Sequence, residues 1–380
     1  MQKLTWPQVN AWRLAQQQLL ERAEFTDLLS VVARLGGLQA QLTSAAELAL
    51  WARVKDVTPA AIQRLLWAER KLVKTWAMRG TLHWLPRSEF AGFVAASAAI
   101  TVKRPPSYYT YHKVTPAELE AIIATIPVVL SANPITREQM ADAVAERTSS
   151  PNLRDVLLSG WGALLKPSAR CGEICFGPCQ GQNVTFVRPE AWLGDPALML
   201  PKPGRAPIDA LQACARCFLT TYGPATLDEF ARWWGIDAAQ ARKLFKLMAD
   251  ELTTVEVDGW TAQILTNTLD AMTTLAAPST VRLLPYFDPY TIAIARHADY
   301  LLPAAHKNQV YRTQGWISPV VLVDGRMVGV WEQVPKREKV TVRVALFDAS
   351  ARQFEDAIAA EVTSLGKFLD SEANWEINTQ

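Results

Sequence analysis

Histidine is scarce in this chain: there are four, at positions 83, 112, 297 and 306, in 380 residues. So few imidazoles argue against hydrolysis by a histidine-ligated metal, and no H-E-x-x-H run occurs. There is no G-x-S-x-G, no P-loop and no Rossmann glycine fingerprint either, which sets aside the familiar serine hydrolases, NTPases and dinucleotide enzymes. Long apolar runs are also missing. The longest uncharged one, residues 91–102, falls well short of a bilayer span. The opening "MQKLTWPQVNAWRLAQQQ" lacks a basic-then-apolar export pattern, so a cytoplasmic, unprocessed protein with no membrane partner is expected. Cysteine is limited to five residues, in a C-x3-C-x3-C cluster (Cys171, Cys175, Cys179) and a C-x2-C pair (Cys214, Cys217). Neither spacing matches a well-attested ligand pattern, and the flanking residues read as a hairpin and an apolar helix. Reduced core thiols are therefore expected, with no metal and no other cofactor. A cysteine-ligated metalloprotein is the alternative, and it would carry stoichiometric zinc or a chromophore.

What is present is the profile of a folded protein, 49% apolar and 20% charged, long enough for two or three domains. The net charge of +2 conceals a lopsided distribution. Between Trp51 and Lys113 there are eleven Lys/Arg and three Asp/Glu, an excess of eight, which leaves −6 on the remainder. Such a block suits a polyanionic partner. Within it Trp51, Trp67, Trp76 and Trp84 interleave with Arg53, Lys74, Arg79 and other cations. The tryptophans are expected in the core. The cations Arg53, Lys74 and Arg79 are expected on DNA.

A recurring unit organises the chain. Near residue 226, Thr226 with Glu229 forms a capping box, and Gly235 ends that helix. Asp237 opens a second helix, and "TTVEV-DGW-TAQIL" reads as a hairpin. Helix, turn, helix and hairpin make a winged helix-turn-helix. A second copy runs from Thr136 through "NLRDVLLSGWGALLK" to "EICFGPCQGQNVTFVRP". A third comes earlier, from "DLLSVVARLGG" to the strand pair "KLVKTWAMRGTLHWLP". The expected fold class is α+β, mainly α, with modules at 1–115, 116–205 and 206–380. Proline-rich linkers fall near 104–116 and 194–207. The last module should add a C-terminal β-hairpin region, with Asp324-Gly325 at the turn of "VVLVDGRMVGVW", and a closing helix from "ARQFEDAIAAEVTSLGKFL".

The stretch "GGLQAQLTSAAELALWAR", residues 36–53, places two amides on either side of one alanine. Gly36-Gly37 can end a helix, and Ser44 with Glu47 can start the next at Ser44. Gln39 and Gln41 then lie in extended backbone, where residues two apart point the same way. They also lie just before a helix N-terminus, whose N–H groups favour an anion. Two amides can hold one water and stabilise positive charge growing on a sugar. That suffices when the leaving group is already activated, as is a purine alkylated at N3 or N7. The bland reading is that these glutamines only solvate loop backbone.

The winged units, together with "GLQAQLTSAAELALWARV", "MRGTLHWLP", "FGPCQGQNVTFVRPEAW", "LLPYFDPY" and "VVLVDGRMVGVW", resemble the AlkZ-type family of bacterial DNA glycosylases from about residue 5 to 370. The resemblance implies three tandem winged helices around a concave DNA channel. It also implies removal of alkylated purines from duplex DNA, and some family members unhook interstrand crosslinks. The family motif is glutamine, an apolar residue, then glutamine or aspartate; Gln39-Ala40-Gln41 is the two-glutamine version. Carried over, Gln39 and Gln41 would position the attacking water and stabilise an oxocarbenium-like sugar. The enzyme would be monofunctional, leaving an abasic site. The "VDGRMVGVW" hairpin would face DNA with Arg326 at its tip, and Arg79 and His83 of "RGTLHWL" would also contact DNA. His83 as a strand residue bonded to backbone is the plainer reading. Asp288 and Pro289 are read as a helix N-cap and first turn. With three DNA-binding modules in one chain, a monomer is expected. The alternative from another class is a non-catalytic winged-helix DNA-binding protein or regulator.

Overall fold

The computed structural model describes residues 1–158, 162–194, 206–336 and 339–379. The chain forms two compact units: residues 1–63 with 215–380, and residues 64–214. It is an α+β fold, dominated by short helices with small sheets set among them.

In the first unit the helix Trp6–Gln16 follows a capping box of Thr5 and Gln8, and buries Val9, Trp12 and Leu14. Asn10 and Arg13 on this helix, and Gln17 at its C-cap, are buried too. They donate to backbone carbonyls: Arg13 to Tyr222 and Pro224 at 2.9 and 2.8 Å, Asn10 to Asp324 at 2.9 Å. Gln17 reaches the carbonyl of Thr221. The helix–turn–helix–hairpin near residue 226 forms as its sequence dictates. Thr226 accepts from the Glu229 N–H, worth about 1 kcal/mol. The helices Leu227–Trp234 and Ala238–Leu247 lead into strands Leu252–Val257 and Trp260–Leu265. The Asp258-Gly259 turn between these strands is left-handed at both residues. A strand at Gln2–Leu4, which the sequence reading missed, pairs in parallel with Leu252–Val257.

The C-terminal sheet has the order Val281–Leu284, Val320–Val323, Arg326–Lys336, Lys339–Leu346, Glu372–Thr379. The first three pairings are antiparallel and the last is parallel, the connection being the helix Glu355–Leu369. The expected closing helix is thus followed by an edge strand. Its pattern, "EANWEINT", alternates exposed and half-buried residues with two acids, too polar to stand out as a strand.

The second unit holds the strands Leu72–Trp76 and Leu82–Pro86 as an antiparallel pair. It also holds the stretch read as the middle winged unit. The helices Pro116–Val129, Arg137–Thr148 and Pro151–Leu158 pack on a three-stranded sheet of Ile135–Thr136, Asn183–Val187 and Cys175–Gln180. Thr136 caps its helix as the sequence suggests, with Gln139 completing the box. Trp76, Ile122, Ile126, Met140, Phe176 and Phe186 form the centre of this core. Most of the linker read at 194–207, and residues 159–161 beyond the helix Pro151–Leu158, lie outside the described residues. No helix among the described residues is long and apolar enough to cross a membrane.

Candidate active site

The amide pair is built by the end of one helix and the start of another. The helix Leu28–Arg34 stops at Gly36 and Gly37, whose N–H groups close back onto Ala33 and Val32 at 2.9 Å each. Both glycines are left-handed, and a Cβ on Gly36 would stand 2.7 Å from the Trp233 ring. Only glycine fits there. Leu38 and Gln39 are then extended, Ala40 is fully buried, and Gln41 is exposed. Gln39 is half-buried. Anchored at Ala40, the segment offers one amide from the protein wall and one from the surface. The next helix runs Thr43–Trp51, with Leu42 at its N-cap and no side-chain cap. The expected Ser44–Glu47 box does not form. Glu47 instead accepts from Gln63 Nε2 at 3.0 Å, and the helix begins at Thr43. Gln41 therefore sits directly before the N-cap Leu42, whose side chain caps nothing, beside the positive end of the helix dipole.

Arg53, expected on DNA, is not available to it. Its guanidinium is fully buried and bonds Asp288 through both nitrogens, at 2.8 and 2.7 Å, and donates to the Ala49 carbonyl at 3.0 Å. Asp288 also caps its own helix, accepting from the Tyr290 N–H at 2.9 Å, with Pro289 in the first turn as expected. The residue read from its charge as a phosphate ligand is a strut under the helix that follows the amides. The preceding residue, Phe287, is left-handed at φ 55°, a conformation a bulky residue adopts only when its surroundings enforce it.

His83 is likewise corrected. It lies within the strand Leu82–Pro86 and is 1% exposed, with Nδ1 3.0 Å from the Thr81 carbonyl. Nδ1 carries the proton, so Nε2 accepts from Arg79 at 3.3 Å. Burial first, and the Arg79 charge second, push its pKa down to about 3, so the ring is neutral. Arg79 itself is half-buried and left-handed at φ 59°, in the turn between the two strands. Lys74 is half-buried on the strand Leu72–Trp76, its ammonium 5.6 Å from the centre of the Phe176 ring.

Arg326 is exposed, with its guanidinium over the Tyr300 ring and a bond to the Tyr300 carbonyl at 3.1 Å. The turn beside it is not a free tip. Asp324 and Gly325 adopt the expected left-handed pair. Asn10 holds the Asp324 carbonyl, and Tyr290 Oη donates to the Gly325 carbonyl at 2.7 Å. The tryptophans follow expectation: Trp51, Trp76 and Trp84 are buried, and Trp67 packs against the core of its unit. Cys175 is buried in a strand, while Cys171 and Cys179 are exposed. Among the described residues no three His, Cys, Asp or Glu side chains gather as an ion site.

Comparison with known proteins agrees with this architecture and with the resemblance of the motifs. The family model described as DNA glycosylase AlkZ-like matches residues 32–368. The "Interstrand DNA cross-link repair glycosylase" of Streptomyces sahachiroi is 36% identical over 342 residues, covering 89% of this chain and 91% of that protein. The solved structure of Streptomyces sahachiroi DNA glycosylase AlkZ superposes with a TM-score of 0.89 at 33% identity, over 99% of this chain and 100% of that one. The chain belongs to the AlkZ-like family of DNA glycosylases.

Proposed function

We propose that this glycosylase hydrolyses the N-glycosidic bond of purines alkylated at N3 or N7 in duplex DNA, interstrand crosslinks included, with Gln39 and Gln41 as its catalytic residues. The observation that carries the reading is the pair of amides flanking the buried Ala40, in backbone that is extended at Gln39 and immediately precedes a helix N-terminus. Neither amide is a base strong enough to deprotonate water, and none is required. An N7-alkylated purine departs as a neutral base, the C1′–N9 electron pair quenching its positive charge. Charge moves to the sugar, where amide oxygens stabilise it and hold a water on the open face of C1′. The water oxygen bonds to C1′ and its proton passes to solvent. The product is an abasic site, with no covalent intermediate and no strand cut.

The relative's role in crosslink repair supports extending the substrate class to bulky and bridged N7 adducts. Three winged modules, at 1–115, 116–205 and 206–380, belong to the same proposal, as do Arg79, Lys74 and Arg326 as DNA contacts. So does action as a cytoplasmic monomer without a cofactor. The test is base release, in EDTA, from a duplex carrying one N7-methylguanine and from a duplex carrying an N7-bridged crosslink. Release by the parent and not by Gln39→Ala/Gln41→Ala supports the reading. Tight DNA binding with no release from either substrate would replace it with a non-catalytic binding protein.

A further inference from the structure

The sequence from Phe90 through Ala117 contains no Asp or Glu, yet it carries Lys103, Arg104 and Lys113. The structure gives this segment a short helix, Pro106–His112, ending at a left-handed Lys113. On that helix the His112 ring is braced by two tyrosines, 4.5 Å from Tyr108 and 5.0 Å from Tyr111, both edge-on. Tyr111 is nevertheless 82% exposed. Held edge-on against His112, the exposed ring offers an apolar face and a hydroxyl to a partner. The charges on the segment itself are all positive, and the carboxylates of Glu120 and Glu173 stand beyond it, near Cys171. Burial first, and the Lys166 charge second, hold the His112 pKa below its usual value, and the Lys166 ammonium lies 3.5 Å from where a Cβ on Gly80 would stand, beside Arg79. Arg104 bonds Tyr108 and stands near Arg170. Arg170 is occupied, donating to the Ser97 and Ile100 carbonyls at the end of the helix Arg87–Ala98. The neighbouring carboxylate Glu118 is taken up by the Thr115 N–H and Asn152. Among the described residues no carboxylate pairs with Lys103, Arg104, Lys113 or Lys166. By contrast, Lys55, Lys71, Lys307 and Lys339 each have one.

We infer that the helix Pro106–His112 and its lysine surround are a second DNA contact, which grips the sugar-phosphate backbone independently of base excision. Ammonium groups of Lys103, Lys113 and Lys166 neutralise phosphates. The Tyr111 ring packs on deoxyribose and its hydroxyl donates to a phosphate oxygen. A polyanion is the occupant because unpaired like charges repel one another until phosphates separate them. DNA rather than another polyanion follows from the glycosylase reading above, on which this inference rests.

The experiment is the salt dependence of full-chain binding to undamaged duplex. Each neutralised phosphate contributes about 0.9 to the slope of log Kobs against log salt, so Lys103→Gln/Lys113→Gln/Lys166→Gln should lower the slope by about 2–3. Tyr111→Ala should weaken binding several-fold with the slope unchanged. Lys339→Gln, which removes an exposed lysine paired with Glu372, should change neither. A fall in slope of about one or less in the triple variant, or the same fall per charge from Lys339→Gln, would overturn the inference. No base is released in this assay, so failure of the excision chemistry leaves its result intact. The Gln39→Ala/Gln41→Ala protein should keep the full slope.

Discussion

Arg53 and Asp288, 235 residues apart in sequence, meet as a two-point ion pair from which water is excluded at both ends. Asp288 is at the same time the N-cap of its helix, and Arg53 also holds the Ala49 carbonyl of the helix that starts beside Gln41. Breaking one side strands a buried charge. Asp288→Asn keeps a capping oxygen and removes the counter-charge, and should lower stability by about 3–5 kcal/mol. Arg53→Met/Asp288→Asn, with no lone charge, should recover part of that loss. Urea unfolding of the two variants beside the parent checks both statements.

Removing either amide should slow base release while leaving binding to undamaged duplex in place. Loss of one stabilising dipole at such a centre costs about 10²–10³ in rate. With both amides proposed to act on one water, the double variant should fall short of the product of the singles. Single-turnover rates on an N7-methylguanine duplex measure this directly.

His83 makes the second unit sensitive to acid. Its folded-state pKa of about 3 lies below the ordinary value of 6.5, so the unfolded chain binds the extra proton between these two values. Stability from the neutral ring is therefore complete above pH 6.5 and is lost as the pH falls towards 3. Between pH 7 and 5, the parent should lose about 2 kcal/mol more than His83→Gln loses. Denaturant midpoints at the two pH values would show no such difference if the ring were charged in the fold.

Gly36→Ala tests how the amides are held. The left-handed backbone and the Trp233 ring 2.7 Å from the new methyl both oppose it. A loss of about 1–3 kcal/mol is expected, together with slower base release although both glutamines remain. Thermal unfolding and the single-turnover rate should move together.

What the sequence made legible was local chemistry. Thr226 with Glu229, Thr136, and Asp288 before Pro289 each announce a helix start because the cap needs only nearby residues. The Gly36-Gly37 stop and the Asp324-Gly325 turn are visible for the same reason. What stayed hidden was long-range. Ser44 and Glu47 match a capping box, but Gln63 claims the carboxylate. Arg53 counts as one more cation in a basic block until Asp288 folds against it. The edge strands at Gln2–Leu4 and Glu372–Thr379 are specified by the neighbours they join more than by their own residues.

The support of the amide-bearing helix has a consequence for synthesis on the ribosome. Residues 64–214 form a unit from one continuous stretch of chain, whereas the other unit joins both ends of the sequence. The helix Thr43–Trp51 is made far earlier, but its props come late: Asp288 beneath Arg53, and Ser364 accepting from the Trp51 indole at 3.1 Å. A nascent chain thus carries Gln39 and Gln41 through most of translation without a frame to hold them. On the proposed roles of the two glutamines, base excision waits for the last stretch of chain to be made.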